Sequence, residues 1–283
     1  MRLMSNDTCA PEVESDVIRV SCVVCAYNEA DRIERVLDAV CGHPAISEVL
    51  VVNDGSTDAT DAVLRRRSDI RLLSYAPNRG KTHALTLGIA AARGDYILLL
   101  DADLAGLDAS HVAELVAPVV EGRADVSMSL RSNSLGLYRW IGLDFVSGER
   151  VLPADLVRGA AVGMNGLPPW GGEAFLNELV ISRQLRLAVV DWPGVRNTRK
   201  GEKVGAWQGL ADELKMVRDA LAVLTPWGVL RQNVALLQLK QGSEERRARA
   251  LRATARRLSA RASFASTRRR LMATAPQLLK RAR

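Results

Sequence analysis

From residue 18 to residue 130 the chain repeats one pattern: a short apolar run, a polar cluster, then apolar residues at helical spacing. Ile18–Cys25, Val49–Val52, Ile70–Ser74, Tyr96–Leu100 and Asp125–Leu130 read as strands. Asp31–Val40, a segment capped by Ser56, Thr57 or Asp58 and reaching Arg67, Lys81–Arg93 and Ser110–Val120 read as helices. Asp31 followed by Glu34 predicts a capping box with an acidic cap. Tyr96–Leu100 lacks polar alternation, so burial on both faces is expected. Strands alternating with helices through short loops predict an α/β fold, a parallel sheet wound by right-handed crossovers with helices on both faces.

Such sheets bind ligands beyond the carboxyl ends of their strands. Polar clusters fall there three times: Tyr27-Asn28-Glu29, Asn53-Asp54-Gly55-Ser56 and Asp101-Ala102-Asp103. Residues two apart in extended backbone share a face, so Asp101 and Asp103 can converge on one point. Two hard oxygen ligands suit Mg2+ or Mn2+, which binds through one or two carboxylates plus substrate phosphates. A bare Asp-X-Asp is more often a solvated turn, and Asn-Asp-Gly is a common turn signal. Three such clusters on one sheet edge favour a shared crevice that stacks a base on Tyr27 and takes hydrogen bonds at Glu29 and Asp54.

Several other chemistries are excluded. Asn78-Arg79-Gly80-Lys81-Thr82 contains a GKT triplet, but Tyr75 stands where a phosphate loop needs glycine. Neither GxGxxG nor GxSxG is present. Cys22 and Cys25 have CxxC spacing on a strand, which sends them to opposite faces, so they read as buried hydrophobes. With Cys9 and Cys41 they fit a reducing compartment. The first 16 residues lack the apolar stretch of a signal peptide. The longest apolar stretch, Leu221–Leu239, is broken by Pro226 and Arg231, so no membrane span is expected. A cytoplasmic protein is the expectation.

The segments VVCAYNEADRIERVL, VLVVNDGSTDAT, NRGKTHAL, GDYILLLDADL and SGERVL, in this order, resemble family 2 glycosyltransferases of the GT-A fold. The likeness spans residues 18–215 and implies a Rossmann-like, mixed but mainly parallel sheet. It implies transfer of a sugar from a nucleoside-diphospho-sugar (UDP- or GDP-linked), by inversion and with Mg2+ or Mn2+. By resemblance Tyr27 and Glu29 contact base and ribose, Asp54 the base, and Lys81 lies near them. Asp101 and Asp103 hold ribose and metal–diphosphate, with Asp103 the direct metal ligand. In WGGEAFLN, Glu173 becomes the candidate base or acceptor ligand, with Glu178 as substitute. A first-turn acid stabilised by the helix dipole would look the same. In the run from Gly194 to Lys203, relatives carry a histidine that can reach the metal, and Asn197 stands in its place. Arg199 and Lys203 are candidate diphosphate clamps. Ser147-Gly148-Glu149-Arg150 matches an acceptor-side stretch, or else forms a structural Glu–Arg pair beside a glycine turn. A nucleotide-sugar-binding protein without turnover and a nucleotidyltransferase are the rival readings. The second normally begins with a glycine-rich phosphate loop.

Residues 131–170, rich in Gly, Pro and Trp, read as binding loops, followed by a helix at Glu173–Arg183, a strand at Leu187–Val190 and a helix at Gly209–Leu224. Residues 216–242 form an amphipathic extension that packs on the domain, with an in-plane membrane anchor as the alternative. The chain's net charge of +7 resides in its tail: residues 243–283 hold thirteen Lys or Arg against two Glu. That tail, helical or disordered, suits an anionic membrane surface. Phe264 alone interleaves with its arginines, so nucleic acid is the weaker partner. Polyprenyl phosphate, a small phosphorylated molecule and an envelope glycan are the candidate acceptors.

Overall fold

The computed structural model describes residues 18–134, 136–164, 167, 171–197, 225 and 227–240. Strands β1 (Val20–Ala26), β2 (Glu48–Asp54), β3 (Arg71–Tyr75) and β4 (Tyr96–Asp101) alternate with helices α1 (Ile33–Val40), α2 (Thr60–Arg65) and α3 (Lys81–Ala91). After a two-residue strand, β5 (Leu104–Ala105), come α4 (Ala109–Val120) and β6 (Val126–Arg131). Next are α5 (Gly136–Ile141), β7 (Arg150–Pro153), α6 (Ala154–Met164), α7 (Gly171–Ser182), β8 (Leu187–Trp192) and β9 (Arg196–Asn197). A last described helix, α8, covers 227–240.

Seven strands form one sheet in the order β3-β2-β1-β4-β7-β6-β8. β3, β2, β1 and β4 are mutually parallel, β7 runs antiparallel to both β4 and β6, and β8 is parallel to β6. The sheet is therefore mixed and mainly parallel. Alternate residues of its strands feed two cores. Val24, Val51, Leu98 and Leu100 meet α1 and α4 on one face, and Val23, Leu50, Ile97 and Leu99 meet α3, α6 and α7 on the other. Cys22 packs in the first core and Cys25 borders the second, as the strand period requires. Leu98 and Leu99 are essentially buried, in line with the unbroken apolar character of β4.

The segment after Arg131 differs from the expected loops, because α5, β7 and α6 lie within it. β7 contributes only Val151 and Leu152 to the core, and its first residue, Arg150, is a buried charge that hides the apolar signal. α6 buries Ala154, Val157, Ala161 and Met164, a proper helical stripe disguised by small residues. The capping box expected at Asp31 is not formed. α1 starts at Ile33 without a side-chain cap, and the backbone N–H groups of Arg32 and Ile33 donate to the Glu29 carbonyl instead. A capping box does occur at α4, between Asp108 and His111.

α8 packs on the domain through buried Gln232, Leu236 and Leu239, while Trp227, Leu230 and Val234 are exposed. Among the described residues no helix is long and apolar enough to cross a membrane. The expected helix at Gly209–Leu224, the N-terminal segment 1–17 and the tail 243–283 lie outside the described residues.

Gly88 sets the distance between α3 and the sheet. A Cβ there would press into Val23 and stand 3.2 Å from Val52. Gly88→Ala is expected to lower stability in urea melts by about 1–3 kcal/mol through overpacking, despite the ~1 kcal/mol gain in helix propensity.

Candidate active site

Three strand ends, the start of α3 and the short strand β9 line a cleft of about 420 Å³ at the carboxyl edge of the parallel strands. Tyr27 and Glu29 line it from the β1 end, Asp54 from the β2 end, and Asp101 and Asp103 from the β4 end. Lys81, the first residue of α3, and Asn197, on β9, complete its wall. The three polar clusters expected to share a crevice do share one.

Asp54 is buried and organises the β2 end of the cleft. Its Oδ1 accepts from the Tyr75 hydroxyl and the Arg79 backbone N–H, both at 2.8 Å, and its Oδ2 from the Asn78 amide at 2.9 Å. Gly55 makes this closure possible: its φ of +65° suits glycine, and a Cβ would come within 2.5 Å of Asn78 N. Asn28, at φ +58°, clasps the neighbouring turn by accepting from Thr57 N–H at 2.8 Å. Glu29 faces the cleft while pairing with Arg32 at 2.5 Å.

At the opposite end, Lys81 Nζ lies 2.8 Å from Asp101 and 2.9 Å from Glu173. The Lys81 side chain is partly exposed, and its ammonium sits between two largely buried carboxylates. Burial alone would disfavour that charge; Asp101 and Glu173 more than offset it and raise the Lys81 pKa well above its ordinary value. Burial likewise pushes against ionisation of Asp101, yet Lys81 and then Arg131 prevail and hold it below the usual carboxylate range. Asp103 is shifted the other way. Burial, followed by repulsion from Asp101 and Glu29, raises its pKa to about 6.

Glu173, the third residue of α7 and in its first turn, is thus joined to the site through Lys81. Glu178 is not. Five residues along the helix it faces α8, where it accepts from Gln232 at 2.9 Å and pairs with Arg231. Arg199 and Lys203 lie outside the described residues. The Ser147–Arg150 stretch is buried framework beneath the cleft. Glu149 pairs with Arg131 at 2.8 Å, so the expected Glu149–Arg150 pair is replaced. Arg150 instead donates to Asn177 at 3.0 Å and to the Ser147 carbonyl. Gly148 lets this stretch touch the site, since a Cβ there would lie 2.7 Å from an Asp101 carboxylate oxygen.

Arg131 was not among the residues anticipated, although it ends β6 much as Asp101 ends β4. It stands 3.6 Å from Asp144 and 3.9 Å from Asp101, besides its contact with Glu149. A polar residue at a fourth carboxyl strand end was the available signal.

The residues suit a hard divalent cation. Asp101 and Asp103 offer carboxylate oxygens, and the crowding of negative charge around Asp103 is the condition a cation relieves. Asn197 Oδ1 is buried there without a hydrogen-bond partner among the described residues. No group of three or more His, Cys, Asp or Glu poised to hold a metal occurs among the described residues. The protein would therefore share the coordination with water or phosphate, as Mg2+ sites commonly do.

Two predictions follow from these charges. Arg131→Met, which strands buried Glu149 and Asp144, should cost about 3–5 kcal/mol in denaturant melts. Asp103→Asn should raise the melting temperature in EDTA at pH 8, with the gain shrinking toward pH 5. The sign follows from the raised pKa: the folded wild type binds a proton more readily than the unfolded chain, so its stability falls as pH rises from about 4 through 6.

Comparison with known proteins agrees with this geometry. The model for Glycosyl transferase family 2 matches residues 21–151. Over 96 residues the chain is 41% identical to succinoglycan biosynthesis protein ExoO of Rhizobium meliloti, covering 33% of this chain and 28% of that protein. It is 32% identical over 147 residues to dolichyl-phosphate beta-glucosyltransferase ALG5C of Trichomonas vaginalis, covering 44% of each. The chain thus spans less than half the length of these curated relatives. Among solved structures it resembles glucosyl-3-phosphoglycerate synthase from Mycobacterium tuberculosis in complex with Mn2+ and UDP-glucose. That match has a TM-score of 0.55 and 22% identity over 73% of this chain and 79% of the other, a likeness of fold. Residues 21–151 of this chain thus carry a match to glycosyl transferase family 2, and the chain shares the GT-A fold.

Proposed function

We propose that the chain transfers a sugar from a nucleoside-diphospho-sugar to an acceptor hydroxyl or phosphate, with inversion and with Mg2+ or Mn2+. The observation that carries this is the convergence of Asp101, Asp103 and Lys81, with Glu173 paired to Lys81, at one end of a cleft whose other end is lined by Tyr27, Glu29 and Asp54. The Trichomonas relative, a dolichyl-phosphate beta-glucosyltransferase, and the Mn2+ and UDP-glucose of the Mycobacterium structure support the same chemistry.

Tyr27, 40% exposed, offers its ring for stacking with the base. The Asp54 cluster and Glu29 present acceptors to base and ribose N–H and O–H groups. Cleavage of the bond from sugar to diphosphate leaves negative charge on the departing phosphate. A divalent cation, held chiefly by Asp103, would supply the Lewis acidity that stabilises this charge. Lys81 adds a positive charge at the same end of the cleft and orients Asp101. Glu173 serves as the base: its carboxylate takes the proton of an acceptor hydroxyl as that oxygen attacks the anomeric carbon from the face opposite the diphosphate. A phosphate acceptor is already ionised and leaves Glu173 the task of positioning.

The excess basic charge of 243–283, together with exposed Trp227 and Leu230, favours work at an anionic lipid surface, at ~1 kcal/mol per basic residue near it.

The test is release of free nucleotide from UDP-, GDP- and dTDP-sugars with Mg2+, Mn2+ or EDTA, with and without polyprenyl phosphate, small phosphorylated acceptors or glycan primers. One donor should support metal-dependent release that Asp103→Ala abolishes. With a hydroxyl acceptor, Glu173→Gln should slow transfer about 10²–10⁴-fold while nucleotide binding persists. Nucleotide binding without release from any donor and acceptor pair would favour a binding protein, and no binding at all would overturn the site. Cosedimentation with phosphatidylglycerol vesicles, lost on removal of 243–283, is expected of the surface-bound form. Equal partition with and without that segment would reject it.

A further inference from the structure

Asn197 is held in place by its backbone. It pairs with Leu104 in the β5–β9 ladder, and its carbonyl accepts from the Asn133 amide at 3.3 Å. Two residues earlier, the Val195 carbonyl accepts from both Ser132 N–H and Ser132 Oγ. Beside the β5–β9 ladder, Gly106 packs directly against the Gly194 backbone. The Asn197 side chain is thereby delivered between the two carboxylates: Nδ2 donates to Asp101 Oδ2 at 3.2 Å and to Asp103 Oδ1 at 3.0 Å. The Nδ2 donor is saturated while Oδ1, buried beside it, has no partner among the described residues. An amide needed only to satisfy carboxylates would not leave its own oxygen buried and unmatched at the site of highest negative charge.

We propose that Asn197 is an amide latch that sets which cation this site accepts. Without a cation it clips Asp101 to Asp103 through Nδ2; with one bound at Asp103 it turns about χ2 and presents Oδ1 as a further oxygen ligand. The inference rests on the divalent-cation reading above and goes beyond it. Its consequence is an all-oxygen set of protein ligands, which suits Mg2+ as well as Mn2+ and gives no advantage to metals that favour nitrogen. An imidazole at this position would favour Mn2+ and Co2+ over Mg2+, and its proton would compete with the metal near pH 6.5.

Metal binding to the full chain, without donor or acceptor, provides the test. Mn2+ would be followed by the loss of its free electron-spin-resonance signal, and Mg2+ and Co2+ by competition. Asn197→Asp removes the clip but keeps an oxygen, so it should lower the melting temperature in EDTA while tightening Mn2+ and Mg2+ at least threefold. Asn197→His should shift the ratio of Mn2+ to Mg2+ affinity at least tenfold toward Mn2+ and add a loss of Mn2+ affinity between pH 7 and 6. Asn197→Ala should weaken Mg2+ and Mn2+ alike. Should Asn197→Asp lower both melting temperature and metal affinity, the amide is a structural donor and the proposal fails. An unchanged Mn2+/Mg2+ ratio in a folded Asn197→His also overturns it while leaving the metal-dependent reading intact. Absence of Mn2+ binding in the wild type overturns both.

Discussion

Carboxylates cannot be gathered at the end of a buried strand unless cations or hydrogen-bond donors are gathered with them, because each ionised oxygen taken from water must find a replacement partner. Asp101 is the focal case. Lys81 reaches it from the start of α3, Arg131 from the end of β6 and Asn197 from β9, while Gly148 leaves room for it. Each contact joins segments far apart in sequence. The relative placement of α3, β6, β9 and the turn before β7 is therefore the electrostatic solution for one side chain.

Asp103 lies outside that solution. Two residues on, it shares Asn197 with Asp101, and burial with two acidic neighbours raises its pKa. One carboxylate of the pair is thus held ionised by its surroundings, and the other is made the easier of the two to protonate. This division of labour explains why a single Asp-X-Asp can serve both architecture and ligand binding.

The β1–β4 half was legible in the sequence because alternation of strand and helix, and the two-residue repeat within strands, are local signals. So was the meeting of Tyr27, Glu29, Asp54, Asp101 and Asp103, since the carboxyl ends of parallel strands share an edge. Arg131 escaped because a lone arginine after a strand looks like solvated surface until Glu149 and Asp144 are brought under it. The choice between Glu173 and Glu178 depended on the other side of α7, where Gln232 of α8 occupies Glu178. No short-range pattern carries that information. α6 was missed because alanine and glycine can bury a helix face without the large apolar residues that usually advertise it.

The reversed direction of β7 has a consequence for how this molecule can vary. A parallel strand opens at the far edge of the sheet and arrives at the cleft when it ends. β7, being antiparallel, opens at the cleft, so the chain leaves the cleft at Arg131 and is back beside it by Gly148 and Glu149. The intervening stretch is a loop with both feet on the rim, including α5 with its exposed Leu137 and Trp140. The exposed positions of α5 can vary without changing the register of any strand, whereas Ser132, Asn133 and Asp144 on either side of it are tied to the floor of the cleft. The mouth of the cleft can be rewritten while the floor stays fixed.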